Sequence, residues 1–330
     1  MPGMQPLQFT LHNALTRWNV SAFSVTVVIA VVAIAAWYLN AEWRLALRGR
    51  RWSPRRTLSF LAGLVVVALA FVSPVDVFTM VYFQAHVVQH LLLMVVAPPL
   101  LALGAPSTLL LQTSSRRVKE RWLGVLHSGP FAVLSHPVTV WFAYFGLMFA
   151  FFLTPLINVA MNHMALMDLL NVVFLASGTL YWWPMVGIDP IPRWKMSYGM
   201  RLLNLLAGSA VEAFLGVAIL ASSHPAASMY TLASTRSGGA LLWVSTELST
   251  LGGFLPIFVQ WVRSEDRAGA RADLKAAERA AQLAPITPAA AGLDSSGPAA
   301  RREPESAWEA AWLAKFGKLP GGTVAGPSGR

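Results

Sequence analysis

Seven apolar runs dominate the chain, at 20–39, 58–78, 84–105, 138–156, 163–186, 201–221 and 241–262. Each is near the ~20 residues that a helix needs to cross a bilayer. Polar and charged residues fall between the runs, and aromatics such as Trp18, Trp37, Tyr38, Trp183 and Trp261 mark their edges, as they do at a membrane–water interface. The pattern predicts an all-α, polytopic bundle of seven transmembrane helices over 20–262. A leader of residues 1–19 precedes it, and a polar tail, 263–330, follows. Within the tail, 263–283 reads as a charged, alanine-rich helix and 284–304 as a Pro/Gly/Ser-rich linker. Over 305–316 the spacing places Trp308, Trp312, Leu313 and Phe316 on one face of a short amphipathic helix.

Composition agrees with the pattern. The chain is 55% hydrophobic and 12% charged, about half the charge of a typical soluble domain. The net charge of +10 belongs to the segments between apolar runs, which argues for a bilayer and against nucleic acid as the partner. Lys and Arg also set the orientation. All but Arg17 and Arg236 lie in 40–57, 106–137, 187–201 or beyond 262. The positive side is the cytoplasmic one, so the N-terminus is expected outside and the tail inside, as seven spans also require. The leader carries no basic flank before its apolar run, so it is expected to be retained and not cleaved.

The candidate chemistry lies inside the apolar runs. There are no cysteines, so disulfides and thiolate metal sites are excluded, and a metal would need His, Met or carboxylate. In the third run, His86, His90 and Met94 recur at every fourth residue, which places them along one helix face in the outer half of the membrane. Neutral imidazole and thioether suit copper, and the thioether favours Cu(I). Pro98 and Pro99 follow. They lack the N–H groups that would bond the carbonyls of Met94 and Val95, which predicts a kink beside the histidines. The fifth run offers His163 and Met167, with Asp168 and Asn171 nearby. Glu212 lies within the sixth run and Glu247 within the seventh. Asp168 and Glu212 read as alternative ligands or as partners that orient a ligand. The plainer alternatives are packed histidines, methionines that fill the core and prolines that only bend a helix. His12 and His224 fall in outer loops, and His127 and His136 on the cytoplasmic side.

Several stretches resemble a known family. HVVQHLLLMVVAPPLLALGAP, FLTPL at 152–156, FLASGTLYWWPMVGIDPIP at 174–192 and WVSTELSTLGGFLPIFVQWVRSEDR are similar to the CtaG-type bacterial cytochrome c oxidase assembly factors. The similarity covers roughly residues 15–275. It implies a non-enzymatic, seven-helix inner-membrane protein that handles copper on the outer side, with haem–copper oxidase subunits and a periplasmic copper chaperone as partners. The family's motif histidines fall on His86, His90 and His163. Where members often place further histidines, this chain has Met167, Asn171, Val173 and Glu212, which points to a site partly built from methionine and carboxylate, or to a weakened one. The expected cofactor is copper as Cu(I), and haem is not expected. The rival readings are a metal transporter, a haem-binding membrane protein and a metal-free scaffold.

Overall fold

The computed structural model describes residues 10–189 and 194–283. It is helical throughout, with no strand among the described residues. In chain order the helices are α1 (Leu11–Thr16), α2 (Ala22–Leu47), α3 (Pro54–Val72), α4 (Pro74–Thr79) and α5 (Phe83–Leu91). A π-helical turn, Leu92–Val96, joins α5 to α6 (Ala97–Leu103). Then come α7 (Pro106–Thr113), α8 (Arg116–His127), α9 (Gly129–Leu134), α10 (Pro137–Leu153), α11 (Leu156–Asn162), α12 (Met164–Val186), α13 (Tyr198–Leu220) and α14 (Leu232–Leu283).

Six segments are long and apolar enough to cross a membrane: α2, α3, Phe83–Thr113, α12, α13 and α14. The seventh expected span departs from the pattern. Its helix α10 has 17 residues, and α11 turns away from it by 75° after Thr154 and Pro155. The run of apolar letters continues through the corner, which is why composition alone placed the end of the span at 156. The helical reading of 263–283 holds, because α14 continues through it. The amphipathic segment with Trp308, Trp312, Leu313 and Phe316 lies outside the described residues. The chain divides into two compact units, Met1–Gly269 and Ala270–Arg330, and the bundle lies in the first of them.

Local signals start and stop the helices. Ser21 and Ser197 accept hydrogen bonds from the N–H of Ser24 and Met200 at the starts of α2 and α13, satisfying donors that an unpaired helix N-terminus would leave orphaned. Pro occupies the first turn of α3, α4, α7 and α10, where its missing N–H costs nothing. Gly187, at φ 63°, ends α12. Apolar side chains on the rim, such as Ile29 and Val32 on α2, are well exposed, as a lipid-facing surface requires. The main core joins α5, α10, α11, α12, α13 and α14 around Phe83, Phe151, Phe174 and Leu215. A smaller core joins α2, α3 and α7 around Tyr38, Phe60 and Leu109.

Candidate functional site

The helix that carries the two histidines begins without a cap of its own. Tyr82, before α5, makes no capping bond through its side chain. Ser234, at the start of α14, acts in its place. Its Oγ accepts from the Phe83 N–H at 2.9 Å and donates to Gln84 Oε1 at 2.6 Å. One turn further on, both histidines point into the protein, with His86 1% and His90 2% exposed.

Their rings stack on each other at 4.8 Å and 30°. Three phenylalanines enclose His90 edge-on: Phe174 at 4.2 Å, Phe151 at 4.9 Å and Phe152 at 5.1 Å. His86 has one polar partner, the hydroxyl of Tyr230, 3.0 Å from Nδ1. Tyr230 in turn donates to the Thr79 carbonyl at 2.5 Å. Burial pushes the Tyr230 phenol above its usual range, so it stays protonated at neutral pH. Among the described residues, His86 Nε2 and both ring nitrogens of His90 are buried with no hydrogen-bond partner. Leaving a polar atom in that state costs roughly 1–3 kcal/mol. Three such atoms on adjacent rings make this the part of the bundle that most needs an explanation.

The prolines shape what lies below. The helix absorbs their missing donors by widening into the π turn Leu92–Val96, with the Ala97 N–H bonded to the Leu92 carbonyl. Such turns are rare and gather at functional sites. Met94, on this turn, is 1% exposed. Its Cα and carbonyl oxygen press against Gly178 of α12, so closely that a Cβ at Gly178 would lie 2.8 and 2.9 Å from them.

A family model described as cytochrome c oxidase caa3 assembly factor matches residues 36–264, a stretch that includes the histidines, the prolines, Gly178 and Tyr230. The chain belongs to this family of assembly factors. It is also similar to uncharacterized proteins of Mycobacterium leprae, 28% identical over 279 residues, and of Mycobacterium bovis, 29% identical over 282 residues. The matches cover 79% and 80% of this chain but 42% of each relative, so the chain spans about two fifths of the length of the curated relatives it matches. No solved structure matches it.

The assembly factor's other candidate residues lie elsewhere. His163 is exposed and sits at the position before α12. It forms no group with His86 and His90, since no cluster of three or more His, Cys, Asp or Glu able to hold a metal occurs among the described residues. Met167 is half-buried and packs against the main core. Asn171 is buried, with Oδ1 unpartnered, and lies one turn from Phe174 on α12. Glu212 is buried but accepts from the Tyr144 hydroxyl at 3.2 Å, and Tyr144 stacks on Tyr181 at 4.5 Å. The small cavity beside Glu212 has neither histidine in its wall. Glu247 is exposed. Asp168 acts on the site's surroundings, because its charge helps to raise the carboxyl of Asp76.

Asp76 itself, Tyr230 and the three phenylalanines were missed from the sequence. For Phe151 and Phe152 a signal existed in the doublet just before Thr154-Pro155. For Tyr230 there was none, as 144 positions separate it from His86.

Proposed function

We propose that this assembly factor carries copper, as Cu(I), for cytochrome c oxidase, and that it holds the ion between His86 and His90 at the outer face of the bacterial inner membrane. The observation that carries the reading is the stacked, enclosed histidine pair with three unpartnered nitrogens. A neutral imidazole offers one lone pair to a metal, and a bound cation would satisfy atoms that the fold leaves unpaired. The donor set selects the ion. Structural zinc takes four ligands in a tetrahedron, whereas no third His, Cys, Asp or Glu joins the pair among the described residues. Two imidazoles suit a soft ion that accepts few ligands, and the Met94 thioether on the π turn below would be a further soft donor. A small donor set also suits a carrier that must release its cargo. The role needs no catalytic group, and the oxidase subunits and a periplasmic copper chaperone are the partners that such a carrier would meet.

The test is the copper content of the detergent-purified protein after loading with Cu(I) under reducing conditions. The parent should retain the ion against a competing chelator, His90→Ala should lose most of it, and His127→Ala should behave as the parent. His127 is a fair control because its ring bonds only the Leu123 carbonyl of its own helix. In a host lacking its own copy, His90→Ala should yield oxidase with haem present and copper depleted. Copper retention in His90→Ala equal to that of the parent would sink the proposal.

A further inference from the structure

Tyr230 joins two hydrogen bonds at one oxygen, and the pair can be satisfied in only one way. The Thr79 carbonyl has no proton to give, so at 2.5 Å the phenol must donate to it. Without that proton, two oxygen lone pairs would face each other at the same distance. A phenol has one proton, and it is therefore spent. The contact with His86 at 3.0 Å then requires the imidazole to be the donor, through Nδ1–H. A neutral imidazole carries a single N–H, so Nε2 is bare. Nε2 is also the His86 atom that the fold leaves buried without a partner.

We infer that Tyr230 is a positioning residue: it locks His86 in the Nδ1–H tautomer, fixes the plane of the ring and leaves the Nε2 lone pair free for the cargo ion. The tautomer follows from geometry alone, and its bearing on copper rests on the function proposed above. Metal-ligating histidines generally donate their other ring N–H to an oxygen that sets tautomer and orientation, and removing that oxygen typically weakens metal binding 10- to 100-fold. Tyr230 fills this role from the loop before α14, which carries no candidate ligand within hydrogen-bond reach of the pair among the described residues. The phenol ring has a separate packing task, an edge contact with Phe83 at 5.4 Å, so Tyr230→Phe removes the hydroxyl and keeps the ring.

The experiment uses the full chain labelled with 15N at histidine and purified without metal, the His86 signal being assigned by its loss in His86→Gln. In the parent, His86 should show a protonated Nδ1 and a bare Nε2. In Tyr230→Phe that pattern should give way to a tautomer mixture, and Cu(I) affinity, measured by chelator competition, should fall roughly tenfold or more. Tyr144→Phe, which removes a buried hydroxyl from the Glu212 cluster, should change neither. A parent His86 protonated at Nε2 overturns the assignment, as does Tyr230→Phe leaving either the tautomer or the affinity unmoved. If the parent binds no Cu(I), the copper reading falls, while an Nδ1–H signal still upholds the tautomer lock.

Discussion

Asp76 shows how a single side chain at this end of the bundle depends on its setting. It sits in α4, where Asn19 Nδ2 donates to one carboxyl oxygen at 2.5 Å and Gln89 Nε2 to the other at 2.6 Å. Burial raises its pKa, the two amide donors lower it, and the Asp168 charge raises it; the net direction is upward. The folded protein therefore holds this proton more tightly than the unfolded chain. The contribution to stability is fully present below the ordinary carboxyl range and is lost as pH rises through the elevated folded value. Thermal unfolding of the parent should thus show a midpoint that declines with rising pH just above that range. Asp76→Asn should flatten the decline, at a cost of about 1–3 kcal/mol, because its amide turns one of the two acceptors into a donor facing a donor. Gln89 also donates to the Ala70 carbonyl at 2.8 Å, and it stands next to His90 in the chain, so the substitution should be read in copper retention as well.

Among the elements, the third span is the most legible and the most instructive. The spacing of His86 and His90 read correctly as one face of a helix, because a four-residue repeat needs only local geometry. The proline pair read correctly as an irregularity, but it took the form of a π turn in place of a bare kink, packed against α12. Extending the repeat to Met94 assumed unbroken α-geometry, which the π turn interrupts. Gly178 is where the two helices meet, and a Cβ there would strike backbone, which cannot swing aside as a side chain can. Gly178→Ala should lower stability by about 1–3 kcal/mol, measured as a loss of thermal midpoint in detergent. Pro98→Ala combined with Pro99→Ala restores two helical donors; the protein should remain inserted, and a chelator should strip its copper more readily. Unchanged retention would make the prolines purely architectural. His163 lies just before α12 and is exposed, a placement that its letter alone did not show.

At the scale of the whole molecule, hydropathy revealed the order of the spans and six of the seven it predicted, since each is written in a contiguous stretch, whereas the fourth run breaks into α10 and α11 at a 75° bend. Hydropathy could not reveal the pairing of distant stretches that builds the site. Charge adds a prediction of orientation. A reporter active only outside the cytoplasm should work when fused after residue 80 or near Ala160 and fail near Gly49, Glu120 or after Arg263. Activity at Glu120 would overturn the orientation. Three polar ties around the start of α5 cross about half the chain: Tyr230 to Thr79 and Phe83 to Ser234 are each 151 positions apart, and Ser234 to Gln84 is 150. The ribosome therefore releases His86 and His90 into the membrane long before it makes the residues that close over them. Until α14 emerges, α5 has neither its borrowed cap nor the phenol that orients His86. The biosynthetic consequence is an order of events: the finished site can exist only after the last span has inserted, so a nascent chain stalled before residue 230 would hold its histidines without the phenol that fixes His86 or the hydroxyl that caps their helix.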